Sequence, residues 1–292
     1  MQKQPLDATP KHALFGSEAS YEEAKVVALP IPYDSTSSYK SGSREGPRAI
    51  INASRFIEPF SYELGFDIGK RVPVYTMEEL MPDFSSPEHM IDRIKKEVSL
   101  ILEDKKVPLL IGGEHTIALG SLWALKEKNA NITVVQFDAH SDTYAELNST
   151  KYSHASVMAR AKELYKDVFQ IGIRSIDESS FNNINKDRVF FIDDVKRQGA
   201  SAVGKLINKA SGKNIYVSFD FDVLDPAEMP SVGTPEPYGM HFDEAITIFR
   251  ELAKGKTLVG ADFTELCPVL GLTAPDYLAA KLIYLFLGCF YG

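Results

Sequence analysis

Cysteine is scarce in this chain. Its 292 residues include two, Cys267 and Cys289, and neither belongs to a CxxC pair. That argues against a disulfide framework and a thiolate zinc site, and makes a reducing, cytoplasmic setting the expectation. Positive charge is in deficit: 32 Lys and Arg against 40 Asp and Glu, a formal net charge of −8. The balance speaks against nucleic acid as a partner and against a polybasic membrane patch. It suits a cationic small substrate, although only weakly. Long apolar runs are also missing. The N-terminal MQKQPLDATPKHALF lacks the apolar centre of a signal peptide. The C-terminal LAAKLIYLFLGCFYG is interrupted by Lys281 and falls short of the ~20 residues a membrane span needs. It reads as a buried or subunit-facing helix. No repeat, low-complexity tract or linker divides the chain, so residues 1–292 are read as one domain, with 1–20 as a tail or outer wrap.

What is present is alternation. KVVALPI, VPLLIGG, ITVVQFD, VFQIGIRS, RVFFID, NIYVSFDFD and TLVGADFTEL are continuous apolar runs, as expected of strands covered on both faces. Between them, helical patterns run over roughly Pro87 to Glu103, Ile117 to Lys128, His154 to Tyr165, Val195 to Lys209, Phe242 to Lys254 and Pro275 to Phe286. This order predicts an α/β fold whose parallel sheet is built from right-handed crossovers.

Six metal-capable side chains follow three of those strands. LLIGGEHT ends on His115 and Thr116; VVQFDAHSD carries Asp138, His140 and Asp142; IYVSFDFDVLDP carries Asp220 and Asp222. One Asp or His at a strand end is ordinarily a turn, a cap or a satisfied core group. Four carboxylates and two imidazoles at the ends of three strands are harder to explain that way. Crowded like charges in a low-dielectric site repel strongly without cations. One divalent ion offsets two negative charges, so four aspartates suggest two ions. Asp220 and Asp222 share one side of an extended backbone. The donors are oxygen and imidazole with no thiolate, which suits Mn²⁺. Ligand sites in open α/β sheets lie beyond the carboxyl ends of strands, so the three segments can converge.

GGEHT, DAHSD and SFDFDVLDP, in this order, resemble the ureohydrolases: arginase, agmatinase and their relatives. GSREGPRAI near the start, GTPEP and GADFTELCP agree, and the likeness runs from about Val26 to the C-terminus. It implies a three-layer α/β/α arginase-like fold with a mostly parallel sheet of about eight strands. It also implies two Mn²⁺ ions that activate a shared water as hydroxide. Carried over by position, His115, Asp138, Asp142 and Asp220 hold one ion. His140, Asp138, Asp220 and Asp222 hold the other, with Asp138 and Asp220 bridging. Glu265 in GADFTELCP matches the guanidinium-binding glutamate, His154 in KYSHASVMAR the proton shuttle, and Thr234 in GTPEP a substrate-lining position. The chain departs from the family in having GGEHT where many members have GGDHS. Glu114 is not at the ligand position, so it is expected, with Thr116, to support the ligands from behind. Asp225 is read as fixing the turn with Pro226, and His12, His89 and His241 as surface groups.

The resemblance also frames the substrate. Arginases hold the amino-acid end of arginine with a polar SGNLHG-like loop, whereas this chain has LNSTKYSHAS with Tyr152 at the asparagine position. YSHAS is closer to agmatinases, whose substrate lacks the carboxylate. The expected reaction is hydrolysis of agmatine to putrescine and urea, a step of polyamine biosynthesis. Arginase, guanidinobutyrase and formiminoglutamase activities are the alternatives within the family. A zinc-dependent acetylpolyamine deacetylase-like enzyme is the alternative outside it, but that fold uses one metal and leaves His115 unexplained. Relatives are commonly trimers or hexamers, so the chain is expected to form a homo-oligomer.

Overall fold

Burial on both faces turns the apolar runs into one parallel sheet. The computed structural model describes residues 13–128 and 130–292. Its strands are β1 (Val26–Ile31), β2 (Val74–Thr76), β3 (Val107–Gly112), β4 (Thr133–Phe137), β5 (Val168–Ile173), β6 (Val189–Phe191), β7 (Asn214–Asp220) and β8 (Thr257–Thr264). They lie in the order β2-β1-β3-β8-β7-β4-β5-β6, and every pairing is parallel. The expected three-layer architecture of eight strands is therefore borne out. A separate two-stranded antiparallel sheet, Phe60–Ser61 with Phe66–Asp67, was not anticipated from the sequence.

Helices cover the sheet on both sides. α1 (Gly46–Ser54), α6 (Ala200–Ala210), α7 (Phe242–Ala253) and α8 (Ala274–Tyr291) pack together on one face. α2 (Pro87–Glu103), α3 (Ala118–Glu127) and α4 (Val157–Leu164) pack on the other. The span expected to be one helix from Val195 to Lys209 is two: α5 (Ile192–Gln198) and α6, parted at Gly199. Gly199 has φ 87°, a left-handed conformation that breaks a helix and costs glycine little. Residues 1–12 of the expected tail lie outside the described residues, as does His12. From Ala13 the chain is already packed: Leu14 is fully buried, and its N–H donates to Thr76 Oγ1 at 2.9 Å. The helices include none long and apolar enough to cross a membrane, among the described residues.

A row of side chains crosses the middle of the sheet. Ile111, Phe263, Phe219 and Phe137 are register neighbours on β3, β8, β7 and β4. The three rings sit 5.4–5.5 Å apart in sequence across the strands, and Phe249 and Phe286 pack edge-on against them at 5.0–5.1 Å. All are buried. Strand side chains alternate between faces, so the residues following these phenylalanines leave the core at the carboxyl ends of the four central strands. Thus Asp138 follows Phe137, Asp220 follows Phe219, and Thr264 and Glu265 follow Phe263.

Candidate metal centre

Three of the four central strands deliver all six predicted ligands to one crevice, and the fourth, β8, leads to Glu265. His115 follows β3, the DAHSD segment follows β4, and Asp220 and Asp222 close β7. Among the described residues, ligand atoms of His115, Asp138 and Asp220 lie within 4.8 Å of one another, and so do those of Asp138, His140 and Asp222. Asp138 is common to both groups. Asp142 joins the first, its Oδ2 2.9 Å from His115 Nδ1. Asp220 stands with His115, its Oδ2 3.7 Å from Nδ1, while its Oδ1 accepts the Asp222 N–H at 2.8 Å.

The environment of His115 tests whether a cation fits. Its Nε2 is 2.7 Å from Ser218 Oγ, and that hydroxyl donates to Asp262 Oδ1 at 2.9 Å. The single hydroxyl proton is thereby committed, so Nε2–H must be the donor to Ser218 and Nδ1 carries the lone pair. Nδ1 is buried and makes no hydrogen bond, yet carboxylate oxygens of Asp142 and Asp138 stand 2.9 and 3.1 Å away. A lone pair facing carboxylates in the interior calls for a positive charge between them. The same demand shows in proton affinities. Burial opposes a charge on His115, but Asp138 and Asp142 outweigh it and raise its pKa well above the ordinary value. For His140 burial is likewise overcome, by Asp222 and Asp138, to about 12. Burial and the Asp138 charge push Asp142 up to about 7. The residues present fit bound divalent cations.

Local geometry holds these groups in place. Asp142 and Glu265 both have left-handed backbone, φ 50° and 68°. Such conformations cost non-glycine residues free energy and concentrate at functional sites. Gly113 lets the chain pass against the 30s loop; a β-carbon there would collide with the Tyr33 carbonyl oxygen. Gln136 Nε2 donates to Asp138 Oδ2, and Gln170 Nε2 to Gln136 Oε1, each at 2.6 Å. Both amides are buried. Arg174 donates to the carbonyls of Asp222 at 2.8 Å and Glu236 at 2.9 Å, stapling the loop after β7. Asp225 accepts the Ala227 and Gly239 N–H groups at 2.9 and 2.8 Å, the turn role expected of it. Thr36, Gln136, Gln170, Arg174, Ser218 and Asp262 were not singled out in the sequence. Asp262 alone left a signal there, as an acid inside an apolar strand.

Beside the ligands lies a pocket of about 80 Å³, lined by Glu265, His154, Thr234 and Gly233, by Ser37, Ser38, Tyr39 and Lys40, and by ligand side chains. Glu265 Oε1 accepts the His115 N–H at 2.7 Å, and Oε2 is the oxygen nearer Gly233. Burial, then the charge of Glu114, raises the Glu265 pKa well above the usual range, so a cation in the pocket is favoured. His154 is held down to about 4, first by burial and then by His140 and His115. Its Nε2 is 3.1 Å from Ser38 Oγ. Tyr152 packs edge-on against Trp123, ring centroids 5.4 Å apart, away from the pocket lining. The surface histidines behave as expected: His241 pairs with Glu228 at 2.7 Å, and His89 lies 2.8 Å from Ser85 Oγ.

The chain has relatives among known proteins. The model of the Arginase family matches residues 24–288. An N(1)-aminopropylagmatine ureohydrolase of Thermus thermophilus is 36% identical over 274 residues, covering 93% of this chain and 92% of the relative. An agmatinase of Bacillus subtilis is 30% identical over 256 residues, 87% of each. The crystal structure of the agmatine ureohydrolase of Thermoplasma volcanium superposes with a TM-score of 0.87 at 33% identity, covering 98% of this chain and 95% of that one.

Proposed function

The chain belongs to the arginase family of ureohydrolases, and on that premise we propose that it hydrolyses agmatine to putrescine and urea with two Mn²⁺ ions. The observation that carries the reading is the unpaired, buried His115 Nδ1 facing Asp138 and Asp142, one hydrogen bond away from a glutamate in the adjoining pocket. His115, Asp138, Asp142 and Asp220 would hold one ion, and His140, Asp138, Asp220 and Asp222 the other. The oxygen and imidazole donors favour Mn²⁺ over a thiophilic metal. Bound there, two such ions lower the pKa of a water and supply a nucleophile near neutral pH.

The chain's own residues do the rest. Glu265 binds the guanidinium through charge-assisted hydrogen bonds and fixes its carbon beside the ligand cluster. His154, uncharged at pH 7, takes up a proton at Nε2 and passes it to the departing amine. Thr234 lines the path of the substrate's chain. The Lys151–Ser153 stretch is not part of that lining, which supports a substrate without an α-carboxylate. The relatives' names supply a second reading. The aminopropylagmatine ureohydrolase is the more similar relative at 36% against 30%. Glu236, 3.8 Å from His140 and partly exposed, offers a carboxylate to a further amine. Lys40 in the lining is the reason to test carboxylate-bearing guanidino compounds as well.

The test is a urea-release panel on Mn²⁺-loaded protein with agmatine, N(1)-aminopropylagmatine, arginine and 4-guanidinobutyrate. The highest kcat/KM is expected with agmatine. A higher value with aminopropylagmatine moves the assignment to the second reading; a higher value with arginine overturns both. Glu265→Gln should lower kcat/KM about ten- to a hundredfold per charged hydrogen bond lost, at roughly 1.5–3 kcal/mol each, while retaining the metal.

A further inference from the structure

Glu114 is fully buried and forms no ion pair among the described residues. A lone interior carboxylate is costly unless its oxygens are well used. Both engage Thr36, and the Thr116 side chain also hydrogen-bonds the carboxylate. Oε2 accepts the Thr36 backbone N–H at 2.6 Å, and Oε1 is 2.8 Å from Thr36 Oγ1. The same Thr36 oxygen meets His154 twice, accepting its backbone N–H at 3.0 Å and lying 3.2 Å from ring Nδ1. Thr116 Oγ1, at 3.4 Å, is a longer contact.

Counting protons sets the direction of this network. Burial raises the Glu114 pKa to about 7, so above that pH the group is a carboxylate; a hydroxyl has one hydrogen, and the carboxylate takes it. Thr36 Oγ1 is then left with lone pairs only, so the bond to the ring must be donated by Nδ1–H. Nε2 in turn carries the free lone pair, beside Ser38 and on the pocket side.

We propose that Glu114 and Thr36 are positioning residues for the reaction: together they lock His154 in its Nδ1–H tautomer and present Nε2 to the pocket as the proton acceptor. The inference rests on His154 being the proton carrier of the proposed function, but the tautomer can be read without any turnover. It also gives GGEHT a purpose, because the glutamate is what reaches Thr36.

Glu114→Gln reverses the logic. Thr36 N–H can only donate, so it keeps the amide oxygen, and the amide NH₂ must face Thr36 Oγ1. The hydroxyl then accepts from the amide and turns its own proton to Nδ1, moving the ring proton to Nε2. The experiment is ¹⁵N-histidine NMR at pH 9, where Glu114 is ionised, on protein loaded with diamagnetic Zn²⁺ in place of paramagnetic Mn²⁺, with His154→Asn identifying the signal. Nδ1–H is expected in the native chain and Nε2–H in Glu114→Gln. Thr36→Val, which has no acceptor, should lose the Nδ1–H preference, and Thr36→Ser should restore it. With Mn²⁺, Glu114→Gln and Thr36→Val should lower kcat at least about tenfold with KM and metal content little changed, since they remove proton transfer worth roughly 10²–10⁴-fold in rate. An Nε2–H ring in the native chain overturns the proposal, as does an Nδ1–H ring that survives both substitutions. A native Nδ1–H ring that shifts as described, in protein inactive on every guanidino compound, upholds the network and overturns only the reaction assigned to it.

Discussion

Single side chains explain the site through the partner each one lacks or holds. Asp138 is the residue shared by both ligand groups, so its loss should cost more than that of a ligand to one group. Asp138→Ala is expected to lose both ions on dialysis, and Asp222→Ala to keep at least one; metal analysis of the two variants decides. Behind Asp138 stands Gln136, whose buried amide is oriented by Gln170 and Ser141. Gln170 Nε2 also donates to the Ser141 carbonyl at 2.7 Å, and a carbonyl can only accept, so the direction of the chain to Asp138 is fixed. Gln136→Leu removes the donor but preserves much of the volume. Partners of metal ligands typically contribute about 10–100-fold to metal affinity, and a Mn²⁺ titration of Gln136→Leu should show a loss of that size. Unchanged affinity would show that Asp138 needs no support. His115, Asp138, His140, Asp142, Asp220 and Asp222 were legible as a cluster because several ligand types recur within a few positions. Gln136 and Ser218 were not, since an amide or hydroxyl inside a strand looks like any other polar residue until its partners are known.

At the scale of elements, strand ends do the positioning, and the phenylalanine layer fixes those ends. Phe219 touches Phe137, Phe221, Phe249 and Phe263 at centroid distances of 5.4–5.7 Å, and Asp220 follows it directly. Truncating a buried phenylalanine typically costs about 3–5 kcal/mol. Phe219→Ala should lose stability on that scale in urea unfolding of the metal-free protein, and bind Mn²⁺ more weakly in the same preparation. A stable variant with unchanged metal affinity would detach the core from the site. The long strands were readable because two covered faces leave no alternation of polar residues. β2 was missed because its short VYT run ends on a polar threonine and directly follows Pro73, whereas the equally short β6 is the wholly apolar VFF, and the split at Gly199 because helical periodicity passes across a single glycine. The left-handed backbone at Asp142 and Glu265 was invisible for a different reason. Neither side chain prefers that conformation; the surrounding fold imposes it.

In the whole molecule, strand order does what no motif could. β3, β8, β7 and β4 are sequence-distant yet adjacent at the centre of the sheet, and each contributes a functional segment at the same edge. Alternation predicted a parallel sheet, but convergence of these particular strands came only with the topology. The surface bears on assembly. Leu270 is fully exposed, with Val269 and Leu272 partly so on the segment leading into α8 and Tyr277 partly so in its first turn. We propose that the chain forms the expected trimer or hexamer, for which an exposed apolar set is a candidate contact surface; light scattering should then give three or six times the chain mass, and a monomer at micromolar concentration would contradict it. The central claim, a two-metal guanidino hydrolase, is tested most directly by adding Mn²⁺ stepwise to metal-stripped protein while following urea release from agmatine. The rate is predicted to rise and level off at two ions per chain. Levelling off at one ion, or no urea at any Mn²⁺ concentration, would contradict it.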